Sequence, residues 1–407
     1  MRFYIGGSIR NRKIKNLITI GVGMALVLLL CLYFGTRSGY EKQLNEFAAT
    51  VPIRCQVTNI SGSRETGLFI SDRMVQGVME SDLTKEVTCM VWLMAGEGEF
   101  EPEDWAGNIN LYVDGANRVE AVPGLTEDLI HLEEGTIQEF FSSDQLECVV
   151  NQQTCEERGW KVGDEISLNF FYFMADNATM TLSCYTNPLE LARVKIVGTM
   201  EDLTTATGAV SPDVVLPLET VRSMFDRNGV SFMADTLSFQ VSDPLRLNEF
   251  KEEMKGLGFM EREAGSMDSY SGIALAVDDS SFLSMARNLQ FAMDTMTAFL
   301  PAVLALAALV GYVVSSLLAG SRSEEYALLR LMGIGRFRSS IGFWAEQAVL
   351  VLAGIAAGDL LAGIVYPGIT VILLADGMLL GAYLLGAAAA YWRMGRGSVM
   401  ELAQEIK

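Results

Sequence analysis

The sequence predicts an α-helical membrane protein with four transmembrane helices. A large α/β (α+β) extracytoplasmic domain is inserted between helices 1 and 2. Three observations predict this. One long apolar segment lies near the N-terminus and three more follow residue 290. Residues 37–290 between them are water-compatible and acidic, with 42 Asp plus Glu against 18 Lys plus Arg. The short pieces that flank the apolar segments on the other side are rich in arginine and lysine.

The first segment, residues 17–36, opens on LITIGVGMALVLLLCLYF without an internal charge. A bilayer core needs ~20 apolar residues of helix, which this run supplies with its flanks. A cleaved signal peptide is the competing reading, but no small-residue cleavage site follows Phe34, so the segment is read as a retained anchor. The second segment, residues 291–319, turns apolar near Phe291, before the bilayer run itself, which implies a stalk leading out of the domain. The third and fourth, residues 341–365 and 369–392, are joined through Tyr366, Pro367 and Gly368, a turn signal that makes them a hairpin.

Positively charged loops stay on the cytoplasmic side. Arg2, Arg10, Arg12, Lys13 and Lys15 fill the N-terminal segment 1–16. Arg322, Arg330, Arg336 and Arg338 lie in the loop 320–340, and Arg393 and Arg396 in the tail 393–407. All three sets fall on one side if both termini are cytoplasmic. Residues 37–290 are then outside a multi-pass plasma-membrane protein.

The formal net charge is -20. An acidic exterior excludes the basic patch that phosphate recognition needs, so no nucleic-acid partner is expected. Of six cysteines, Cys31 lies in the first segment. Cys55, Cys89, Cys148, Cys155 and Cys184 lie in the domain, where disulfides persist. Five is odd, so one at least is unpaired or intermolecular. Cys148 and Cys155 are close enough in sequence to bridge, although no spacing specifies the connectivity. With one histidine, His131, and no CxxC, neither a metal site nor a cofactor is expected.

Within the domain, ECVVNQQTCEERGWKVGDEISLNF from Glu147 parses as strand, short helix, turn at Gly163–Asp164, and strand with Ile166, Leu168 and Phe170 on one face. RVKIVGTM from Arg193 is β-rich, and DVVLPLETV from Asp213 reads as a strand entering a helix. TLSFQVSD from Thr236 precedes a helix in which Leu247, Phe250, Met254 and Leu257 recur at helical spacing up to a glycine, as in a small split βαβ layer. Catalytic signals are missing. His131 has no nucleophile motif beside it, and the acids from Glu97 to Asp104 and at Glu252 and Glu253 read as solvated faces. There is no GxSxG, phosphate loop or HExxH, so the chain is not expected to be an enzyme.

The most specific text is SRSEEYALLRLMGIGRFRSSIGFWAEQAVLVLAGIAAGDLLAG from Ser321. It reads as a short helix with Tyr326, Leu328, Leu329 and Leu331, broken at Gly333 and Gly335 before the chain re-enters the bilayer. Here the chain resembles the FtsX-like permease family of MacB and LolC type. The likeness rests on Glu325, Arg330 and Gly333, on Glu346 early in the third segment, and on the Gly354 and Gly358 pair. SIRNRKIKNLITIGVGMAL resembles the family's opening, and VVNQQTCEERGWKVGDEISL, KIVGTM and VVLPLETV resemble parts of its external domain.

The resemblance implies a permease subunit of an ABC transporter complex that exports or extracts an amphiphilic or peptide-like substrate. An ABC-type ATPase would dock on Glu325, Tyr326, Arg330 and Gly333, and its closure would tilt the second membrane helix. No GxxxxGK[ST] is present, so the ATPase is expected to be a separate protein. A second permease subunit, as homo- or heterodimer, is implied with it. Division-associated members imply an alternative, a non-transporting regulator of an external cell-wall hydrolase. A receptor without ATPase would leave the glycine-broken loop unexplained.

Acids inside membrane segments are functional candidates. Glu346 lies near the inner interface, with Arg336 and Arg338 as candidate partners. Asp359 and Asp376 are 8 and 9 residues from Pro367, at similar depth in an antiparallel hairpin. Two facing carboxylates there would repel and raise at least one pKa; about 20 residues counted from Ile341 reach Leu360, so the preferred reading leaves both acids solvated at the outer interface.

Overall fold

The structure is a computed structural model that describes residues 13–101, 104–176, 183–203, 211–263, 272–365 and 369–396. It divides into two compact units, one of residues 1–47 with 283–407 and one of residues 48–282. The turn expected at Tyr366–Gly368, the basic residues Arg2, Arg10 and Arg12, and tail residues 397–407 lie outside the described residues.

Among the described residues the apolar unit has five helices, α1 (Lys13–Thr50), α2 (Ser280–Gly320), α3 (Ser323–Leu331), α4 (Arg336–Val365) and α5 (Ile369–Arg396). All but α3 are long and apolar enough to cross a membrane. Two of them outrun the segments read from hydropathy. The first helix continues past residue 36 to Thr50, and α2 begins at Ser280, ahead of residue 291. The polar extension of α1 carries the pairs Arg37–Glu41 and Lys42–Glu46 at 3.4 and 3.5 Å, one helical turn apart. Hydropathy marks where a helix turns polar, not where its hydrogen bonding stops.

Small residues set the helix crossings. A Cβ on Gly354 of α4 would lie 2.6 Å from the Ile20 carbonyl of α1, and one on Gly386 of α5 would lie 1.9 Å from the Ala308 carbonyl of α2. Only glycine lets these backbones touch, the packing mode favoured where no hydrophobic effect drives helices together. Val27, Leu30, Val351, Ile355, Leu379 and Tyr383 fill the space between. Tyr33 of α1 donates its hydroxyl to the Met296 carbonyl of α2.

The α/β unit contains β1 (Arg54–Thr58), β2 (Ile70–Ser71), β3 (Thr84–Glu97), β4 (Leu111–Ala116), β5 (Ile130–Leu132), β6 (Glu147–Asn151) and β7 (Glu165–Asp176). It continues with β8 (Ser183–Met200), β9 (Val214–Pro217), β10 (Met233–Ala234), β11 (Thr236–Val241), β12 (Met260–Glu261) and β13 (Ala274–Val277). Eleven strands form one sheet in the order β12-β13-β1-β11-β3-β4-β9-β6-β8-β5, and β7 bonds to both β3 and β8. The path through β3, β4, β9, β6, β8 and β7 therefore returns on itself and leaves no free edge there.

Each strand read from the sequence is present. β6 runs into the helix Gln152–Arg158, which Asn151 caps by accepting from the Gln153 N–H and Gly159 ends at φ +72°. The turn at Gly163–Asp164 is closed by the Asp164 carboxylate, which accepts from the Lys161 N–H at 2.8 Å. β9 leads directly into the helix Leu218–Arg227. β11 buries Leu237, Phe239 and Val241, and the helix Leu247–Leu257 lays Leu247, Phe250 and Met254 against the core before Gly258. Phe239 and Phe250 meet edge to face at 6.1 Å.

Cys148 and Cys155 are free thiols here, which corrects the bridge their spacing allowed. Both are buried, Cys148 on β6 between β8 and β9. Burial pushes both thiols up, and a protonated, enclosed thiol is a poor partner in disulfide exchange.

Candidate functional site

The loop between the second and third apolar helices is fixed by main-chain bonds, a buried ion pair and stacked aromatic rings. After α2 ends at Gly320, the Arg322 N–H bonds to the Ala319 carbonyl, and α3 starts with the Tyr326 N–H on the Arg322 carbonyl. Glu324 and Glu325 stand in the first turn of α3 and Arg330 in its last, each at the end whose dipole favours it. The far end closes as a Schellman motif, with the Ile334 N–H on Leu329 and the Gly333 N–H on Arg330. Gly333 takes φ +84° there, the left-handed conformation that side chains resist. The sequence-level glycine break thus has a definite geometry.

Beneath α3, Tyr326 is buried and tilts over Phe343 of α4 at 6.3 Å, and Phe343 stacks on Tyr391 of α5 at 6.2 Å. Arg322 completes the layer. Its two terminal nitrogens reach the two oxygens of Glu346 at 2.5 and 2.8 Å, with the side chains only 5% and 3% exposed. Its guanidinium lies 5.6 Å from the Phe343 ring centre. Two parallel charge-assisted bonds fix orientation as well as distance.

This corrects the partner expected for Glu346. Arg336 and Arg338 lie on the same helix, ~15 and ~12 Å along its axis at 1.5 Å per residue, out of side-chain reach. Arg322 entered the sequence reading only as one of several loop charges. The usable signal was Glu346 itself, since an acid within an apolar run requires a cation from another element.

Of the expected docking residues, Tyr326 faces inward, whereas Glu325 and Arg330 are half-buried. The loop also exposes four large apolar side chains, Leu328, Leu331, Met332 and Phe337, at 59%, 72%, 69% and 78%, alongside the exposed Glu324 and Arg338. Asp359 and Asp376 lie toward the other end of the hairpin. Each is partly buried, Asp359 on α4 and Asp376 on α5.

Among its described residues the α/β unit offers no comparable constellation. His131 meets Glu201 at 3.4 Å, with both side chains half exposed. Among the described residues no cluster of His, Cys, Asp and Glu is suited to a metal ion. Two carboxyls are enclosed, Asp114 on β4 and Asp235 beside β11, and burial pushes each up to about 7.

No family model and no curated protein matches the sequence. Solved structures similar to part of the chain include the periplasmic region of MacB from Actinobacillus actinomycetemcomitans, at TM-score 0.32 and 10% identity over 57% of this chain and 92% of that one. The extracellular domain of the noncanonic ABC-type transporter YknZ from Gram-positive bacteria aligns at TM-score 0.28 and 11% identity, over 56% of this chain and 100% of that one. A domain assigned to a permease protein from Porphyromonas gingivalis aligns at 0.26 and 13%, over 56% and 86%.

Proposed function

We propose that this chain is the membrane permease subunit of an ATP-driven complex of the FtsX-like kind. It moves or extracts an amphiphilic or peptide-like substrate, with both termini cytoplasmic and the α/β unit outside the cell. The observation that carries this reading is α3, a short helix held by a buried ion pair and an aromatic layer. It turns Leu328, Leu331 and Met332 toward solvent on the side where the arginines gather. An unpartnered apolar face on a rigidly held loop helix is suited to lie in a groove of a cytosolic protein.

That partner, in this reading, is an ABC-type ATPase outside this sequence, which carries no phosphate-binding GxxxxGK[ST] of its own. Glu325 and Arg330 flank the apolar face and would set its register on the ATPase. A second permease copy or relative would complete the pair that a dimeric ATPase requires. This subunit would transmit force and hold the substrate-facing domain, with the bond-breaking chemistry located in the partner.

The test is purification of the tagged full chain in mild detergent, with mass spectrometry of what accompanies it. A stoichiometric ABC-type ATPase, lost on Arg330→Glu while the permease stays folded, is the expected result. Isolation without any ATPase after gentle crosslinking would overturn the reading and favour a membrane-anchored receptor.

A further inference from the structure

We propose that Arg322 and Glu346 form a clasp that makes α3 and α4 one moving body, so that displacement of the loop helix is delivered to the third membrane helix. This deepens the permease reading and rests on it for the source of the displacement. The family resemblance implies movement of the second helix; the contacts around α3 assign it to the third.

α3 is tied to α4 by bonds with direction. The bidentate pair at 2.5 and 2.8 Å fixes Arg322, the residue immediately before α3, against Glu346, ten residues into α4. Tyr326, one turn later, sits on Phe343, one turn before Glu346, and Phe343 in turn stacks on Tyr391 of α5. The tight Schellman turn at Gly333 closes the same side. To this layer α2 contributes Ala319, whose carbonyl accepts the Arg322 main-chain N–H at 3.0 Å and whose methyl joins the buried cluster, a link without the paired charges that join Arg322 to Glu346. One neutral main-chain hydrogen bond and a methyl contact make the weaker tie. Separating two buried charges leaves each without its partner in a low-dielectric setting. The path that resists separation therefore runs through α4, which also touches α1 at Gly354, and on to α5. Arg322 and Glu346 are positioning residues in this scheme: they hold the helix that meets the partner, while the exposed apolar face makes the contact.

The experiment uses spin labels on the full chain with its copurified ATPase, native cysteines replaced, and pulsed distance measurement with and without ATP plus vanadate. Labels at L331C and L352C report α3 against α4, and labels at L331C and L309C report α3 against α2; all three sites are exposed. The α3–α4 distance is expected to stay within the width of its distribution while the α3–α2 distance shifts. E346Q is expected to broaden the α3–α4 distribution at rest and let ATP move it, and the swap R322E with E346R to restore a narrow one. An ATP-driven α3–α4 shift as large as the α3–α2 shift in the unsubstituted protein overturns the clasp. So does an unchanged distribution in E346Q, or a complex that hydrolyses ATP with neither distance moving. If the swapped protein fails to fold, the unsubstituted and E346Q measurements still decide. Absence of any copurifying ATPase defeats the permease reading instead, and the resting E346Q distribution still reports on the clasp itself.

Discussion

Asp235 accepts the main-chain N–H of Trp92 at 2.6 Å, and Asp114 stands opposite Trp92 in the β3–β4 register, so two enclosed carboxyls flank one strand residue. Burial raises each from 3.8 to about 7; for Asp235 the Trp92 N–H and Arg64 work against this, and Asp114 adds to it. Tyr172, also buried, is pushed up by burial and then by Asp235. The sign follows from proton counts. Between about pH 4 and pH 7 the unfolded carboxyls are ionised while the folded ones keep their protons, so stability falls as pH rises through this window. Below it the pair is neutral in both states, and above it the penalty is constant.

Asp114→Asn therefore removes a pH-dependent cost. The variant is expected to gain stability relative to the parent on going from pH 5 to pH 8, by about 1–2 kcal/mol against a ceiling of ~1.4 kcal/mol per pKa unit. Thermal unfolding of the full chain in detergent at both pH values measures it. A parent–variant difference that does not change with pH would show that Asp114 ionises normally.

Cys148 and Cys155 give a chemical check of the α/β unit. Both are buried free thiols, held protonated by their surroundings. The folded protein is expected to resist maleimide at both positions. Denaturation in iodoacetamide without reductant should alkylate both fully. Recovery of a Cys148–Cys155 linked peptide would reinstate the bridge.

How much of this was legible follows from which interactions are local. The helix Leu247–Leu257 announced itself because its buried residues repeat within one element, and the strand–helix runs at Glu147 and Val214 did so by turn and cap residues. The ring closed by β7 was not legible, since it depends on Leu93 meeting Tyr172 across a long stretch of chain. In the apolar unit the segments were visible by hydropathy, but α1 beyond residue 36 and α2 before residue 291 were not. At the loop, Gly333 could be read because a left-handed residue favours one amino acid. Arg322 could not, because an arginine after a membrane segment looks the same whether it meets water or a buried acid.

Gly333→Val tests the turn that ends α3. No atom would obstruct its Cβ, so the cost is conformational, ~1–2 kcal/mol for forcing a side chain to φ +84°. β-branching makes valine a poor occupant and asparagine a better one. Limited trypsin digestion in detergent should cut faster after Arg338 in Gly333→Val than in Gly333→Asn. Equal rates in both variants and the parent would mean the turn does not hold the loop.

Gly386→Leu tests the α2–α5 crossing. Its Cβ would fall 1.9 Å from the Ala308 carbonyl oxygen, a separation no relaxation of a flexible side chain can relieve, because the obstacle is backbone. The helices must part, which opens the layer around Tyr383. Overpacking of this kind costs at least 1–3 kcal/mol. Gly377, with nothing within 4 Å, is the matched control on the same helix. Gly386→Leu should lower the melting temperature in detergent and Gly377→Leu should leave it nearly unchanged; similar losses in both would place the cost in helix propensity or lipid exposure.

Arg322 and Glu346 separate stability from direction. Truncating one partner leaves the other buried and charged, which costs ~3–5 kcal/mol, so Glu346→Ala and Arg322→Ala should each destabilise strongly. Replacing both by apolar residues of similar volume, Arg322→Met with Glu346→Leu, removes the desolvation cost along with the attraction and is expected to restore most of the loss. The measurement is a double-mutant cycle of thermal stability in detergent, in which the double substitution comes out less damaging than either truncation. If the doubly apolar protein is as unstable as the truncations, the pair contributes net stability that greasy packing cannot replace. If it is stable, the ion pair is retained for the orientation it imposes on α3, and that orientation is what the distance measurements on α3 and α4 would find loosened.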